Sequence, residues 1–425
     1  MFEFYNGLKN KELLIALYFL LFFLGFTTGL SYSTYNEFRV YETIALLAFG
    51  FYAFFAKQLA VTRVELLFLS FLSLGSFFWQ QPFFSITELL LYYLLYKSFQ
   101  VLNYNNSITK VIVLSTFLLF LLFPLSLFEY VQTGVYKAIW YPLPFNIRAY
   151  DSYFLIVSIL ATWLYLTESK YKSSYLVLLF LAFFAILLDG GRSATLAYNA
   201  FVGFVIIFNK SSRPPLIFTY AMSWLAYIAI TYTASLGSSS LRIARESSNG
   251  RIDLWIDALQ CWSQHPIVGC GFYQLDSSPN LSAHPHNIFI QVLTELGLVG
   301  FSFLTLIVFT IAKNLSWNLK KNHFVIAAFL AVGIDLSLSG IHIYPVTQIA
   351  LLWLFTFLLK NPEFSHAQYF VNRTTTTSQL QRTISYIVFM VLAIWLIYVS
   401  FQASSFSSDM PLTPPRFWAY GYRLL

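Results

Sequence analysis

A run such as ELLIALYFLLFFLGFTTGL, from Glu12 to Leu30, leaves few folds open to the chain that contains it. If its side chains sit in hydrocarbon, its peptide groups must be satisfied internally, and a helix of roughly 20 residues does both. A membrane barrel would instead show strands of about ten residues that alternate polar and apolar. Comparable runs recur along the 425 residues, of which 58% are hydrophobic and 10% charged. Soluble domains carry roughly a quarter charged residues. The chain is therefore read as an all-α polytopic membrane protein of about 12–13 transmembrane helices. Spans are predicted near 12–30, 41–56, 64–79, 83–96, 111–128, 151–167, 174–188, 193–209, 215–234, 288–312, 323–340, 345–360 and 384–402. The first is too long for the apolar core of a cleaved leader and reads as a span. The division that follows is an N-terminal transmembrane bundle (1–234), a large outer loop (235–287), a C-terminal transmembrane bundle (288–402) and a polar tail (403–425).

With the N-terminus cytoplasmic, sixteen of the 25 Lys and Arg fall inside and nine outside, in keeping with the positive-inside rule. Twelve of the inner sixteen are Lys, whereas eight of the outer nine are Arg. Arg grips phosphate or carboxylate through a planar fork that Lys lacks. The outer excess of Arg either serves an anion site or reflects weaker topological pressure on that side.

Three stretches meet at the outer face. In LLDGGRSATLAYNA, 187–200, Gly190 and Gly191 make a tight turn and Arg192 opens a descending helix. In ESSNGRIDLWIDALQCWSQHPIVGCGF, 246–272, Ser248 or Asn249 caps a helix with Arg251 in its first turn. Leu254, Trp255, Ala258, Leu259 and Trp262 share one face of it, as in an amphipathic helix on the outer leaflet. In SAHPHNIFIQVLTELGLVG, 282–300, His286-Asn287 begins another helix. Helix N-termini favour anions. A cation there makes sense when a dianion such as pyrophosphate completes the site; the alternative pairs Arg192 and Arg251 with Asp189 and Asp253. Arg242 and Arg245 read as a solvated loop face with Glu246 as a partner, and Arg245 is kept as a substrate-binding candidate.

Imidazole suits general-base work near neutral pH. His286 directly abuts a helix start and His284 is its neighbour; the alternative is a pair of interfacial polar caps. Zinc would need a third ligand, for which His265 beside Pro266 is a poor candidate, so no metal is expected. His323, His342 and His366 are given no role. Glu295 and Asp335 are intramembrane acids, suited to function or to pairing within the bundle. Cys261 and Cys270 share the outer loop, where an oxidising compartment permits a bridge that spacing alone does not establish.

Together, GGRSA, the 250–272 loop and HPHNIFIQVLTELGLVG resemble the O-antigen ligase family, which includes lipopolysaccharide O-antigen ligases, protein O-oligosaccharyltransferases and some O-antigen polymerases. The ligase signature is a His followed by Asn, Ser or Gln, a nine-residue gap, and Gly-x-x-Gly. It corresponds here to His286, Asn287, Gly297 and Gly300, with Phe301 where ligases commonly carry a small hydroxyl residue. The resemblance covers roughly the middle third of the chain.

It implies a metal-independent, inverting glycosyltransferase of the bacterial inner membrane, without a cofactor, acting at the periplasmic face. The donor implied is a glycan on undecaprenyl diphosphate. By motif position, His286, Arg192 and Arg251 are the implied catalytic residues. The two Arg would clamp the diphosphate while His286 takes a proton from an acceptor hydroxyl. His284 or Asn287 would orient that ring, and the helix carrying Trp255 would cover the site. Partners implied are the lipid-linked donor, an acceptor glycolipid or protein hydroxyl, and membrane lipids, with no nucleic acid. Lipid A core ranks first as acceptor, with protein Ser or Thr and a growing polymer close behind. Two other classes stay open: a lipid-linked sugar transporter, to which Glu88 and Asp335 would belong, and a non-catalytic assembly protein.

Overall fold

The computed structural model describes residues 10–26, 28, 33–57, 59–79, 82–142, 147–234, 250–277, 283–315, 317–364, 378–403 and 416–419. Among them every regular element is a helix. In chain order these are α1 (Asn10–Phe23), α2 (Thr34–Phe51), α3 (Arg63–Gly75), α4 (Pro82–Val101), α5 (Asn106–Ser115), α6 (Phe123–Thr133), α7 (Ile147–Thr167) and α8 (Lys172–Asp189). They continue with α9 (Arg192–Phe208), α10 (Arg213–Ala234), α11 (Arg251–Gln264), α12 (Ile288–Asn314), α13 (Leu319–Leu338), α14 (Pro345–Lys360) and α15 (Gln379–Ala403). A π-helical turn extends α2 to Ala56, and a 3-10 stretch, Thr116–Leu122, joins α5 to α6. Every predicted span overlaps one of these elements, although the run 12–30 outlasts α1, which ends at Phe23. Eight helical segments are long and apolar enough to cross a membrane, and α9 and α14 are apolar but shorter. The chain is a polytopic, all-α membrane protein.

The helices pack into two compact units, each assembled from three stretches: 1–26, 105–247 and 317–341 in the first, 27–104, 248–316 and 342–425 in the second. In the first unit α7 is buried along nearly its whole length, its few polar side chains, among them Asp151 and Ser152, included, as befits a central helix. It packs along α8, α8 packs on α10, and α9 runs along α13. The intramembrane acid Asp335 on α13 accepts a hydrogen bond from Ser152 of α7 at 2.6 Å.

In the second unit α2, α4, α14 and α15 pack together. Its polar core centres on Arg39 of α2, which is 1% exposed and satisfies all five of its N–H groups. Nε donates to Phe417 O at 3.0 Å, Nη1 to Glu42 Oε2 at 2.6 Å and to Gln348, and Nη2 to Ile343 O at 2.7 Å and Arg416 O at 3.1 Å. A buried guanidinium is tolerable only when paired and bonded to this extent.

The first signature glycine, Gly297, acquires a physical role in α12. Its helical geometry is interrupted at Gly297, with φ 62° and ψ −162°, a region essentially closed to side chains. The strap 266–271 fills the gap. Cys270 and Gly271 donate their N–H groups to the carbonyls of Thr294 and Glu295, at 2.8 and 3.1 Å. The N–H groups of Leu298 and Val299 donate to the carbonyls of Pro266 and Ile267, at 2.9 and 3.2 Å. A broken span is viable in lipid only where protein re-satisfies the freed backbone in this way. A Cβ on Gly297 would lie 2.3 Å from the Ile267 carbonyl oxygen, and one on Gly269 would lie 2.4 Å from the Glu295 backbone. A disulfide joins Cys261 of α11 to Cys270 of the strap, so the bridge left open by spacing is present.

Candidate functional site

The second unit brings three histidines together at the start of α12. Asn287 is the N-cap: its Oδ1 accepts the N–H groups of Phe289 and Ile290 at 2.9 and 3.1 Å. The side chain expected to help orient the imidazole thus fixes the helix start. His286, one residue earlier, holds a left-handed backbone with φ 54°. Its N–H donates to His284 Nδ1 at 3.2 Å, which leaves the His284 proton on Nε2. The two rings stand 4.1 Å apart. His286 is half-buried, whereas His284 is buried.

The third ring is His342, between α13 and α14, which the sequence reading left without a role. It lies 6.4 Å from His284 and is 6% exposed. Its Nε2 faces Gln291 Oε1 at 2.8 Å, and its carbonyl accepts from Tyr92 Oη and Gln348 Nε2, both at 2.8 Å. Tyr344 also stands beside His284, with ring centroids 6.3 Å apart.

Burial pushes the His342 imidazole down to about 3, and Arg416 and His286 act in the same direction. Burial likewise pushes His284 well below its ordinary value, with His286, His342, Arg416 and Arg251 adding to it. Both rings are neutral at neutral pH. An unfolded His binds a proton below about pH 6.5, whereas these folded rings do not until far lower. The unfolded state then holds more protons, so stability falls as pH falls, from about 6.5 down to about 3 for His342. We expect melting temperature in detergent to drop between pH 6.5 and 5, with His342 contributing about 1 kcal/mol per pH unit and His284 acting in the same direction. His342→Gln should flatten that slope; an unchanged slope would mean the acid sensitivity lies elsewhere.

Next to this cluster lies α11. Arg251 is its first residue, and the N-cap is Gly250 in a left-handed conformation with no side-chain cap. The expected caps Ser248 and Asn249 lie outside the described residues, as do Arg242, Arg245 and Glu246. Leu254 and Ala258 are buried and pack with Leu275, Trp255 and Ile290, while Ile252, Ile256 and Leu259 are exposed. The apolar character is therefore shared between two faces, and Leu259 is on the outer one. Trp255 is tied to the histidine turn, its Nε1 donating to the Pro285 carbonyl at 2.8 Å.

The glycine turn belongs to the first unit. Gly190 is left-handed at φ 68°, and Arg192 is the first residue of α9. A Cβ on Gly191 would lie 2.6 Å from Asp151 Oδ2, so any larger residue there must displace the Asp151 carboxylate. Arg148 binds Asp151 Oδ2 at 3.2 Å and the Gly190 carbonyl at 3.0 Å, and the Tyr141 hydroxyl donates to Asp189. The turn carrying Arg192 is thereby braced from α7 and from the segment before it. Among the described residues no three His, Cys, Asp or Glu side chains converge as metal ligands.

Sequence reasoning missed His342, Glu88 as a partner of this region, and Arg416. The signal for the last two was charge alone: a carboxylate in a span needs a cation, and Arg416 was counted only as an outer charge.

Comparison with known proteins adds two findings. Residues 177–305 match a family model described as O-antigen ligase, a range that contains the glycine turn, α11, the strap and the His286–Gly300 signature. A protein of Pseudomonas aeruginosa strain PAO1 named O-antigen ligase is 28% identical over 146 residues, 30% of this chain. The match spans 36% of that relative's length.

Proposed function

We propose, for a chain that belongs through its residues 177–305 to the O-antigen ligase family, that it moves a glycan from undecaprenyl diphosphate to an acceptor hydroxyl. The observation carrying this reading is a pair of imidazoles 4.1 Å apart, one strained and half-buried, delivered to a helix start inside the family's matched stretch. His286 takes the proton of the acceptor hydroxyl, which attacks the anomeric carbon with inversion. His284 supports it through the bond from the His286 N–H. Arg251, at the N-terminus of α11, holds the donor diphosphate as charge grows on it. Arg192 is assigned to the donor diphosphate by its GGRSA motif alone. Trp255 lines the donor side through its tie to Pro285, and Arg245 contributes charge. The chain lies in the inner membrane with these groups facing the periplasm, needs no metal, and uses lipid A core as acceptor.

The test is glycan transfer from the lipid diphosphate in purified membranes. Arg192→Lys should lose about 10²-fold or more, because a point charge does not replace the fork. Wild-type rates in that variant would remove Arg192 from the mechanism. Absence of transfer by the wild-type protein to any acceptor would remove the enzyme reading. A gene deletion identifies the acceptor. Loss of capped lipopolysaccharide supports ligation, a single-repeat cap indicates polymerisation, and bare protein with unchanged lipopolysaccharide indicates protein glycosylation.

A further inference from the structure

We propose that Arg416 is a positioning residue for the His284–His286 pair, acting through Ala283 and Glu295. The proposal deepens the reading above and rests on it for the role of His286. Arg416 is 0% exposed. Its Nε lies 3.0 Å from Glu88 Oε1, and its Nη2 donates to Glu88 Oε2 at 3.0 Å and Glu295 Oε2 at 2.7 Å. Its Nη1 donates to the Ala283 carbonyl at 3.1 Å and to Glu295 Oε1. Ala283 immediately precedes His284, and Glu295 sits on α12 just before the break. One guanidinium therefore fixes both the chain entering the His-Pro-His turn and the half-helix leaving it.

The line continues to the third ring. Gln291 Nε2 donates to Glu295 Oε2 at 3.2 Å, and Gln291 Oε1 faces His342 Nε2. Exchanging a whole buried pair of this kind for apolar residues changes net stability little, whereas losing one partner is costly. The planar fork meets two carboxylates and a carbonyl at once, which an ammonium does not reproduce.

The segment 416–419 is also held by bonds that do not involve the Arg416 side chain. The Arg416 carbonyl accepts from Tyr35 Oη and Arg39 Nη2. The Phe417 N–H donates to Tyr273 Oη at 3.2 Å, and the Ala419 N–H to Asn36 Oδ1 at 2.7 Å. Phe417 and Trp418 are buried. These bonds hold the segment independently of the side chain, but removing the cation leaves Glu88 and Glu295 buried without it, so the charge-conserving Arg416→Lys is the variant that separates positioning from folding.

The experiment uses the full chain in detergent with Arg416→Gln and Arg416→Lys. Diethyl pyrocarbonate modification of each histidine is followed by peptide mass spectrometry, beside glycan transfer. In the wild type, buried His284 and His342 should react slowly and exposed His265 quickly. In Arg416→Gln, reaction at His284 and His342 should rise about tenfold while His323, in the other unit, keeps its rate. The kcat should fall about 10²-fold with the donor KM within about twofold, as expected for misplacement without loss of binding. Arg416→Lys should fall between. Wild-type labelling and kcat in Arg416→Gln would overturn the proposal. If Arg416→Gln unfolds, seen as equal exposure of His323, Arg416→Lys decides, and wild-type behaviour there overturns it. If the wild-type protein transfers no glycan yet labelling changes as described, the transferase reading fails and the positioning role stands.

Discussion

Replacing His286 by glycine is expected to leave the protein folded and at least as stable, and to slow glycan transfer about 10²- to 10⁴-fold, the usual worth of a general base. The two halves of that result have separate causes. His286 is one of three non-glycine residues with positive φ among the described positions, at 54°. Left-handed backbone costs an L-residue roughly 1–2 kcal/mol, which glycine does not incur. The strain is sustained by the His284 acceptor on one side and the Asn287 cap on the other. Strain maintained in this way is a mark of functional positions. A melting temperature equal to or a few degrees above wild type, with transfer lost, is the outcome that agrees. Retained transfer would remove His286 as the base. A large fall in stability would instead make the ring a packing residue.

Gly297→Val should be the most damaging single change in the second unit. The added Cβ meets the Ile267 carbonyl at 2.3 Å and Gly269 N at 2.5 Å, both backbone atoms with no rotamer to yield. The conformation, φ 62° and ψ −162°, adds a penalty of about 1–3 kcal/mol before any clash is counted. Relief requires moving the strap, which would strand four backbone groups of α12 and strain the Cys261–Cys270 link. We expect a loss exceeding about 4 kcal/mol, read as a collapse in the yield of monodisperse protein and in melting temperature. Gly203→Ala is the control, since its Cβ would meet nothing within 4 Å. Near-normal behaviour of Gly297→Val would mean the break in α12 is dispensable.

Much of this was legible in the sequence because it is local. Apolar run length located the helices, eight segments of which are long and apolar enough to cross a membrane, and Asn287 before an apolar run marked a helix start that the side chain does cap. Arg192 opens its helix after the Gly190-Gly191 turn as expected, and Arg251 falls in the first turn of its own, though the N-cap there is Gly250 and neither Ser248 nor Asn249. The site's partners were not legible, because nothing in one span states which other span it touches. His342 is 56 positions after His286, and Arg416 is 121 after Glu295 and 328 after Glu88. Asp335 and Glu295 were recognisable as acids needing partners, but Ser152 and Arg416 were not recognisable as those partners. The Gly297–Gly300 spacing was read as a family signature, whereas its physical content, an interrupted helix, depends on a strap that alternation and periodicity do not reveal.

The interruption in α12 has a consequence for biogenesis. The nine residues from Ile288 to Leu296 rise only about 14 Å, less than half the hydrocarbon thickness. Neither that piece nor its exposed amides could be released into lipid alone. The strap leaves the ribosome before the helix it completes, so it is available when the helix enters the bilayer. Lateral exit of this segment from the translocon and closure of the loop upstream of it should therefore occur as one coupled event.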